Sequence, residues 1–139
     1  MEEPTRQAAC DAGCPVQRAA QVLDGKWTIL VLRDLLGGTR RYSELQRSLS
    51  GISPRLLAAR LKTLEQQGLV RRTAFATVPP TTEYALTAQG LQIMPVVQAM
   101  AAYGQTLLQA DAQAASAPAH ATRAAAGVTR VHAGKVLSR

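Results

Sequence analysis

The stretch of sequence that decides the fold is a short turn and the helix after it, Ser50-Gly51-Ile52-Ser53-Pro54-Arg55-Leu56-Leu57-Ala58-Ala59-Arg60-Leu61-Lys62-Thr63-Leu64-Glu65-Gln66-Gln67-Gly68. Gly51 can supply the turn, and Ser53 is a residue type preferred at helix N-caps. Pro54 suits the first helical position, where its missing N–H has no consequence. The stretch therefore predicts a tight turn followed by a capped helix that runs to about Gln67 and ends at Gly68.

This helix has two chemically different faces. At helical spacing Leu57, Leu61 and Leu64 share one narrow face, which is expected to enter the core. The opposite face carries two cations with a small residue between them, at Arg55, Ala59, Lys62 and Gln66. Such a layout suits a helix that lies against a groove.

Three helices are predicted before the turn. Pro15 opens the first, which ends at Asp24-Gly25. A second helix over residues 27–36 is apolar around most of its circumference and is therefore expected to be buried. Ser43 is expected to N-cap a short third helix that reaches Leu49.

A β-hairpin is predicted after Gly68. Residues 69–75 and 82–86 have the composition and alternation of short strands, and Pro79-Pro80 between them requires a loop. Thr87 then reads as the N-cap of a further helix. The element order predicts a mainly α protein with a small β-hairpin, namely a winged helix-turn-helix.

The last helix carries more apolar surface than a small core needs. Residues 95–108 are apolar on more than one side, and Pro95 is expected to kink or restart the helix. The surplus favours a partner helix, most simply from a second copy of the chain. The alternative is a long helix packed wholly within one monomer.

The 139 residues suffice for one domain. We divide them into an N-terminal arm (1–13), a winged helix-turn-helix domain with dimerisation helices (14–110) and an alanine-rich basic tail (111–139). The tail has too few large apolar side chains to offset the entropy of ordering, so it is expected to be disordered or partly helical.

Positive charge is concentrated in one part of the chain. The net charge is +7, and residues 40–72 contain eight basic and two acidic residues. A stripe of this kind is typical of surfaces that bind a phosphate backbone, although a merely solvated surface is the alternative.

No apolar run is long enough to span a bilayer, and Glu2 and Glu3 do not suit a secretory signal. A cytoplasmic protein without a membrane partner is expected.

Several strings of this sequence, in this order, resemble the HxlR-type transcriptional regulators. They are Cys14-Pro15-Val16, Gly25-Lys26-Trp27, Arg41-Tyr42-Ser43-Glu44-Leu45, Gly51-Ile52-Ser53-Pro54-Arg55-Leu56-Leu57, Arg60-Leu61-Lys62-Thr63-Leu64-Glu65, Gly68-Leu69-Val70, Val78-Pro79-Pro80 and Glu83-Tyr84-Ala85-Leu86-Thr87. The resemblance implies a homodimer, held by the N-terminal and C-terminal helices, that binds a pseudo-palindromic operator in double-stranded DNA. One departure is that Thr81 and Thr82 follow the Pro-Pro pair, where the family usually has a basic residue.

The resemblance places Ser53, Pro54, Arg55 and Ala59 in the reading helix and leaves Arg60 as either a phosphate contact or a structural one. Arg55 is expected to read a base. The expected phosphate contacts are Arg40, Arg41, Arg71 and Arg72, and Tyr42 could also donate a hydrogen bond to a phosphate. The candidate DNA-binding residues are Arg40, Arg41, Tyr42, Ser43, Ser53, Pro54, Arg55, Ala59, Arg60, Lys62, Arg71 and Arg72.

Cys14 is a candidate redox sensor. It lies immediately before a Pro-initiated helix, where the helix dipole favours a thiolate. Several HxlR-type members use a cysteine at this position as a thiol sensor, and Cys10 is a candidate resolving partner. The alternative is an inert Cys14 in an apolar environment and an incidental Cys10. The two cysteines with His120 and His132 do not suggest a metal site.

Other functions remain open. A regulator gated by a small molecule instead of an oxidant is one, with Trp27 and Tyr103 as candidate stacking residues. A winged helix that binds protein or RNA is another, and a thiol redox enzyme built on Cys14 is a third. Glu44 and Glu83 have no histidine or second carboxylate near them in sequence, so no acid–base pair indicates an enzyme, and no cofactor is expected.

Overall fold

The computed structural model describes residues 13–118. The helices are α1 Pro15–Val22, α2 Lys26–Leu36, α3 Tyr42–Ser48, α4 Pro54–Gln66, α5 Ala88–Leu91 and α6 Met94–Ser116; the strands are β1 Arg40–Arg41, β2 Val70–Phe75 and β3 Thr81–Leu86. This element order confirms the predicted winged helix-turn-helix. Contacts within the chain separate two compact units between Met100 and Ala101.

The sheet has three antiparallel strands in the order β1-β3-β2. The predicted hairpin is present, with Val70 opposite Leu86 and Phe75 opposite Thr81. The short strand β1 adds Arg40 opposite Tyr84 and Arg41 opposite Glu83. Two residues are too few to show a strand periodicity, which is why the sequence did not predict β1.

The core lies where α2, α3 and α4 meet the sheet. Leu57, Leu61 and Leu64 all point into it, as their helical spacing predicts. The buried apolar residues are Val31, Leu32, Leu35, Leu45, Leu49, Ile52, Leu57, Leu61, Leu64, Val70 and Tyr84. The opposite face of α4 is thereby left to solvent.

Side-chain caps fix the start of α4 and of α5. The backbone N–H of Leu56 donates to the Ser53 hydroxyl at 3.1 Å, so the predicted Ser53 cap is present. Thr87 accepts from the N–H of Gly90 at 3.1 Å and donates to the Gly68 carbonyl at 2.6 Å. Thr87 therefore joins the end of the hairpin to the end of α4.

The start of α3 differs from the prediction. Arg41 is the N-cap residue and Ser43 lies within the first turn. The Glu44 carboxylate accepts a hydrogen bond from the Arg41 backbone N–H at 2.7 Å. The helix therefore begins two residues earlier than a cap at Ser43 would require. Ser43 is therefore not the cap, and the side chain of Ser43 is exposed.

At Pro95 the chain restarts instead of continuing one kinked helix. α5 ends at Leu91 and α6 begins at Met94, with Pro95 in its first turn. α6 then runs to Ser116, past the boundary drawn at residue 110. Most of the arm and of the tail, including Cys10 and both histidines, lies outside the described residues.

Candidate nucleic-acid interface

The solvent face of α4 carries the residues expected to read DNA. Arg55, Ala59 and Lys62 are all exposed. Ser53 and Pro54, at the start of the helix, are exposed as well. Because the leucines of the opposite face are buried in the core, this face can only turn outward. The N-terminal residues of such a helix are those that approach base edges in a major groove.

Tyr42 connects the start of α3 to the start of α4. Its hydroxyl donates to the Pro54 carbonyl oxygen at 2.7 Å. Burial of the phenol raises the pKa of Tyr42 above its ordinary value, and the neighbouring Tyr84 adds to the shift. The hydroxyl therefore remains a donor at neutral pH. A phosphate contact by Tyr42, as expected from the sequence, would require the bond to Pro54 to break.

A cleft of about 290 Å³ opens between the start of α3 and the hairpin. Hydroxyl-bearing residues line it together with one cation and one proline, namely Arg41, Tyr42, Ser43, Pro80, Thr81 and Thr82. In the sequence, Thr81 and Thr82 replace the basic residue that HxlR-type regulators usually have after the Pro-Pro pair. Because Arg41 pairs with Glu83, the two threonines lie beside α3. The sequence alone does not reveal this strand register.

A second groove, of about 380 Å³, separates α4 from β2. Lys62 of α4 and Arg72 of β2 both line it, with Ala58, Glu65 and Tyr84. Two cations from different elements thus face one groove beside the solvent face of α4, an arrangement suited to a phosphate strand.

The strand register divides the four arginines that the sequence grouped as phosphate contacts. Arg40 and Arg72 both lie opposite Tyr84, on the face of the sheet that Tyr84 turns toward the core. Side chains alternate along a strand, so Arg41 and Arg71 lie on the other face. The Arg41 Nε is 3.8 Å from the Glu83 carboxylate. The four arginines therefore form two groups, and no single patch contains all of them.

Arg60 is the least exposed candidate cation. Its side chain is half-buried, and its Nη2 lies 3.2 Å from the position that a Cβ on Gly25 would take. It thus points away from the solvent face of α4 and toward the connection between α1 and α2.

Cys14 is half-buried at the N-cap position of α1. Its carbonyl accepts from the backbone N–H of Arg18 at 3.0 Å, and no acidic residue occupies the first turn. Within residues 13–118 no group of three His, Cys, Asp or Glu side chains is placed to hold a metal ion.

Apolar surface is exposed on α1 and α6. Val16 of α1 is 77% exposed, and α6 buries no side chain along its length. The exposed apolar side chains of α6 include Val96, Met100, Tyr103, Leu107 and Leu108.

In the first unit, an apolar cleft of about 210 Å³ lies between α1, α2 and α5. Of the two candidate stacking residues, Trp27 packs against the core and Tyr103 is exposed.

No helix within the described range is both long and apolar enough to cross a membrane.

Comparison with known proteins bears on this arrangement. The model of the HxlR-like helix-turn-helix family matches residues 22–112. An HTH-type transcriptional regulator of Synechocystis sp. is 43% identical over 98 residues, which cover 70% of this chain and 73% of that protein.

Two solved structures share both sequence and fold with this chain. A MarR-family transcriptional regulator from Porphyromonas gingivalis is 37% identical with a TM-score of 0.66, covering 68% of this chain and 93% of that one. The redox regulator HypR, in its oxidized form, is 34% identical with a TM-score of 0.63, covering 67% and 96%. The chain belongs to the HxlR-like helix-turn-helix family and is a winged helix-turn-helix transcriptional regulator.

Proposed function

We propose that two copies of this chain bind a pseudo-palindromic operator in double-stranded DNA, each placing α4 in a major groove. The observation that carries this proposal is the solvent face of α4, with Arg55, Ala59 and Lys62 exposed opposite three buried leucines. Such a protein acts in the cytoplasm, where the DNA is.

Direct reading is assigned to the first turns of α4. Arg55 carries a planar guanidinium that can donate two hydrogen bonds to a guanine. Ser53 and Pro54 set the angle at which the helix begins, and Ala59 permits close approach because its side chain is small.

Phosphate contacts are assigned to both sides of α4. Lys62 and Arg72 flank one groove, while Arg41, Ser43 and the wing threonines line the cleft on the side of α3. Arg40 and Arg71 extend the positive potential along the sheet. Hydroxyl groups and guanidinium groups together suit phosphate oxygens, so the wing can contact the backbone without a basic residue after Pro80.

The dimer is assigned to α1 and α6. A row of exposed apolar side chains recurs at helical spacing in the sequence of α6, with Val96 and Met100 in the first unit and Tyr103 and Leu107 in the second. Exposed apolar rows of this length are typical of protein–protein contacts. A symmetric pair of chains then presents two reading helices to two half-sites.

Oxidation of Cys14 is proposed to gate DNA binding. An oxidant such as a peroxide or diamide would accept two electrons and two protons as the thiols of Cys14 and Cys10 join in a disulfide, within one chain or between two. The position of Cys14 before α1 supports this role, as does the similarity to a redox regulator.

A regulator gated by a small apolar molecule is the second candidate. The cleft of about 210 Å³ favours it, since leucines, valines and isoleucine line the cleft together with Gln89 and Gln92. Ligand and oxidant would act through the same DNA-binding surface. A winged helix that binds protein or RNA remains the third candidate, and the α4 surface favours DNA over it.

Fluorescence anisotropy on DNA from upstream of its own gene tests the proposal. Scrambled DNA of the same composition is the control, and each is titrated with thiol-reduced and diamide-oxidised protein. We expect tight binding to the upstream DNA only, and altered binding after oxidation. Specific binding that oxidation leaves unchanged would reject the gating by Cys14 and favour a ligand. Equal binding to both DNAs would contradict operator recognition on that fragment.

A further inference from the structure

Arg60 differs from the other cations of the basic segment. It is half-buried, whereas Arg55 and Lys62 on the same helix are exposed. Its Nε is buried and has no hydrogen-bond partner among the described residues. Three residues after Leu57 and four before Leu64, it stays beside the buried face of α4. A buried donor without an acceptor costs free energy, so the packing around the side chain has to offset the cost at Nε.

The guanidinium of Arg60 rests on Gly25. A Cβ on Gly25 would stand 3.2 Å from Arg60 Nη2 and 3.7 Å from the guanidinium carbon. Gly25 is the N-cap residue of α2 and has a φ of 77°, in the left-handed region that favours glycine. Glycine is therefore required here for its conformation, and the Arg60 guanidinium occupies the space that a side chain would take.

The same connection also touches the turn before α4. We call residues 24–27 the α1–α2 corner. From this corner the Trp27 ring extends to within 3.8 Å of the Cβ position of Gly51. The corner thus lies beside the middle of α4 at Arg60, and beside the turn that precedes α4 at Trp27. Two separated contacts set both the position and the tilt of a rigid helix, which one contact does not.

We propose that Arg60 is a positioning residue for DNA reading and not a phosphate contact. Its guanidinium, seated on Gly25, holds α4 at the tilt that turns Arg55 and Ala59 toward the bases. The inference rests on the proposed function, and it decides between the two roles that the family resemblance left open for Arg60.

The test compares Arg60→Lys and Arg60→Met with Lys62→Met, which removes an exposed cation from the same helix. Anisotropy at several salt concentrations gives the affinity for the upstream DNA, the affinity for scrambled DNA and the salt slope. We expect both Arg60 variants to lose about tenfold in preference for the upstream DNA, the effect of one misplaced base contact. Their salt slope should equal that of the wild type.

The control should behave differently. We expect Lys62→Met to weaken binding to both DNAs alike and to flatten the salt slope by about one unit, as the loss of one phosphate contact does. Thermal unfolding followed by circular dichroism establishes that each variant is folded at the assay temperature. If Arg60→Met does not fold, Arg60→Lys carries the test, because it keeps the charge and loses only the planar guanidinium.

Trp27, the single tryptophan of the chain, gives a readout without DNA. We expect both Arg60 variants to change its emission and its quenching by acrylamide, and Lys62→Met to leave both unchanged. If wild-type protein shows no preference for the upstream DNA, the proposed function fails on that fragment, while the Trp27 signal still decides whether Arg60 holds the corner.

Two results would overturn the proposal. A salt slope flattened by one unit in Arg60→Met, with equal loss on both DNAs, would make Arg60 a phosphate contact. The second result is a folded Arg60→Lys variant with the wild-type preference for the upstream DNA and unchanged Trp27 fluorescence. It would show that the guanidinium does not position α4.

Discussion

Arg55 follows Pro54 in the first turn of α4, and its side chain is exposed. We expect Arg55→Ala to weaken binding to the upstream DNA by about 1–3 kcal/mol and to relax discrimination at one base pair. Binding to scrambled DNA should change much less, because a lost base contact does not affect sites where the base was never read. Anisotropy on fragments with single base changes measures this. Equal loss on both DNAs would make Arg55 a phosphate contact instead.

Tyr42 makes a prediction about stability and pH. We expect Tyr42→Phe to lower the free energy of unfolding by about 1 kcal/mol, since the hydrogen bond to Pro54 is lost. The pKa of Tyr42 is raised in the folded chain, so its contribution is complete below the unfolded pKa of about 10 and is lost as pH rises through the folded value. Urea unfolding from pH 7 to 11 should show a smaller alkaline loss in the variant. Weaker DNA binding with unchanged stability would instead support a phosphate contact.

At the scale of elements, the junction between the hairpin and α5 leaves no room for a side chain at Gly90. A Cβ on Gly90 would overlap the Leu69 carbonyl oxygen, and the N–H of Gly90 is bonded to Thr87. We expect Gly90→Ala to destabilise the fold by about 1–3 kcal/mol, because backbone would have to move to make room. The matched control is Gly104→Ala in α6, where no atom of residues 13–118 of the same chain lies within 4 Å of the new Cβ. It should instead stabilise by about 0.5–1 kcal/mol through helix propensity. The midpoints of urea unfolding compare the stability of the two variants. Stability changes of the same sign in both variants would contradict the packing assigned to Gly90.

Elements with strong local signals could be predicted from the sequence. Ser53 and Thr87 cap the helices they were expected to cap, and the leucines of α4 are buried at the expected spacing. The prediction of a Ser43 cap is wrong because a hydroxyl residue near a helix start resembles an N-cap in sequence. The observed cap is the hydrogen bond from the Arg41 backbone N–H to the Glu44 carboxylate.

Features that depend on register between elements could not be predicted. The division of the arginines into two groups follows from the pairing with β3, and no local pattern encodes that pairing. The same holds for Arg60, which a helical projection places at the flank of the buried face. Its half-buried position beside Gly25 is visible only in the structure.

At the scale of the whole molecule, the assembly is open to a direct test. We expect Leu107→Glu to reduce the proposed dimer to a monomer in light scattering, because it places a charge in the exposed apolar row of α6, and to abolish binding to the proposed operator. The control is Gln109→Glu, which adds the same charge away from that row. A Leu107→Glu protein that remains a dimer would move the interface elsewhere.

The wing of this fold is the hairpin of β2 and β3. The pairing of β3 with β1 joins the wing to α3, and the hydrogen bond of Tyr42 joins α3 to α4. Contacts within the chain therefore fix the arrangement of the surface proposed to meet DNA. A preassembled surface loses little conformational entropy on association, so its affinity is not reduced by the cost of ordering loops. Calorimetry should then give a heat-capacity change set by the area buried against DNA alone, without the additional change that accompanies folding on binding. Encounter with DNA would be limited by electrostatic attraction and orientation, and not by a rearrangement of the protein.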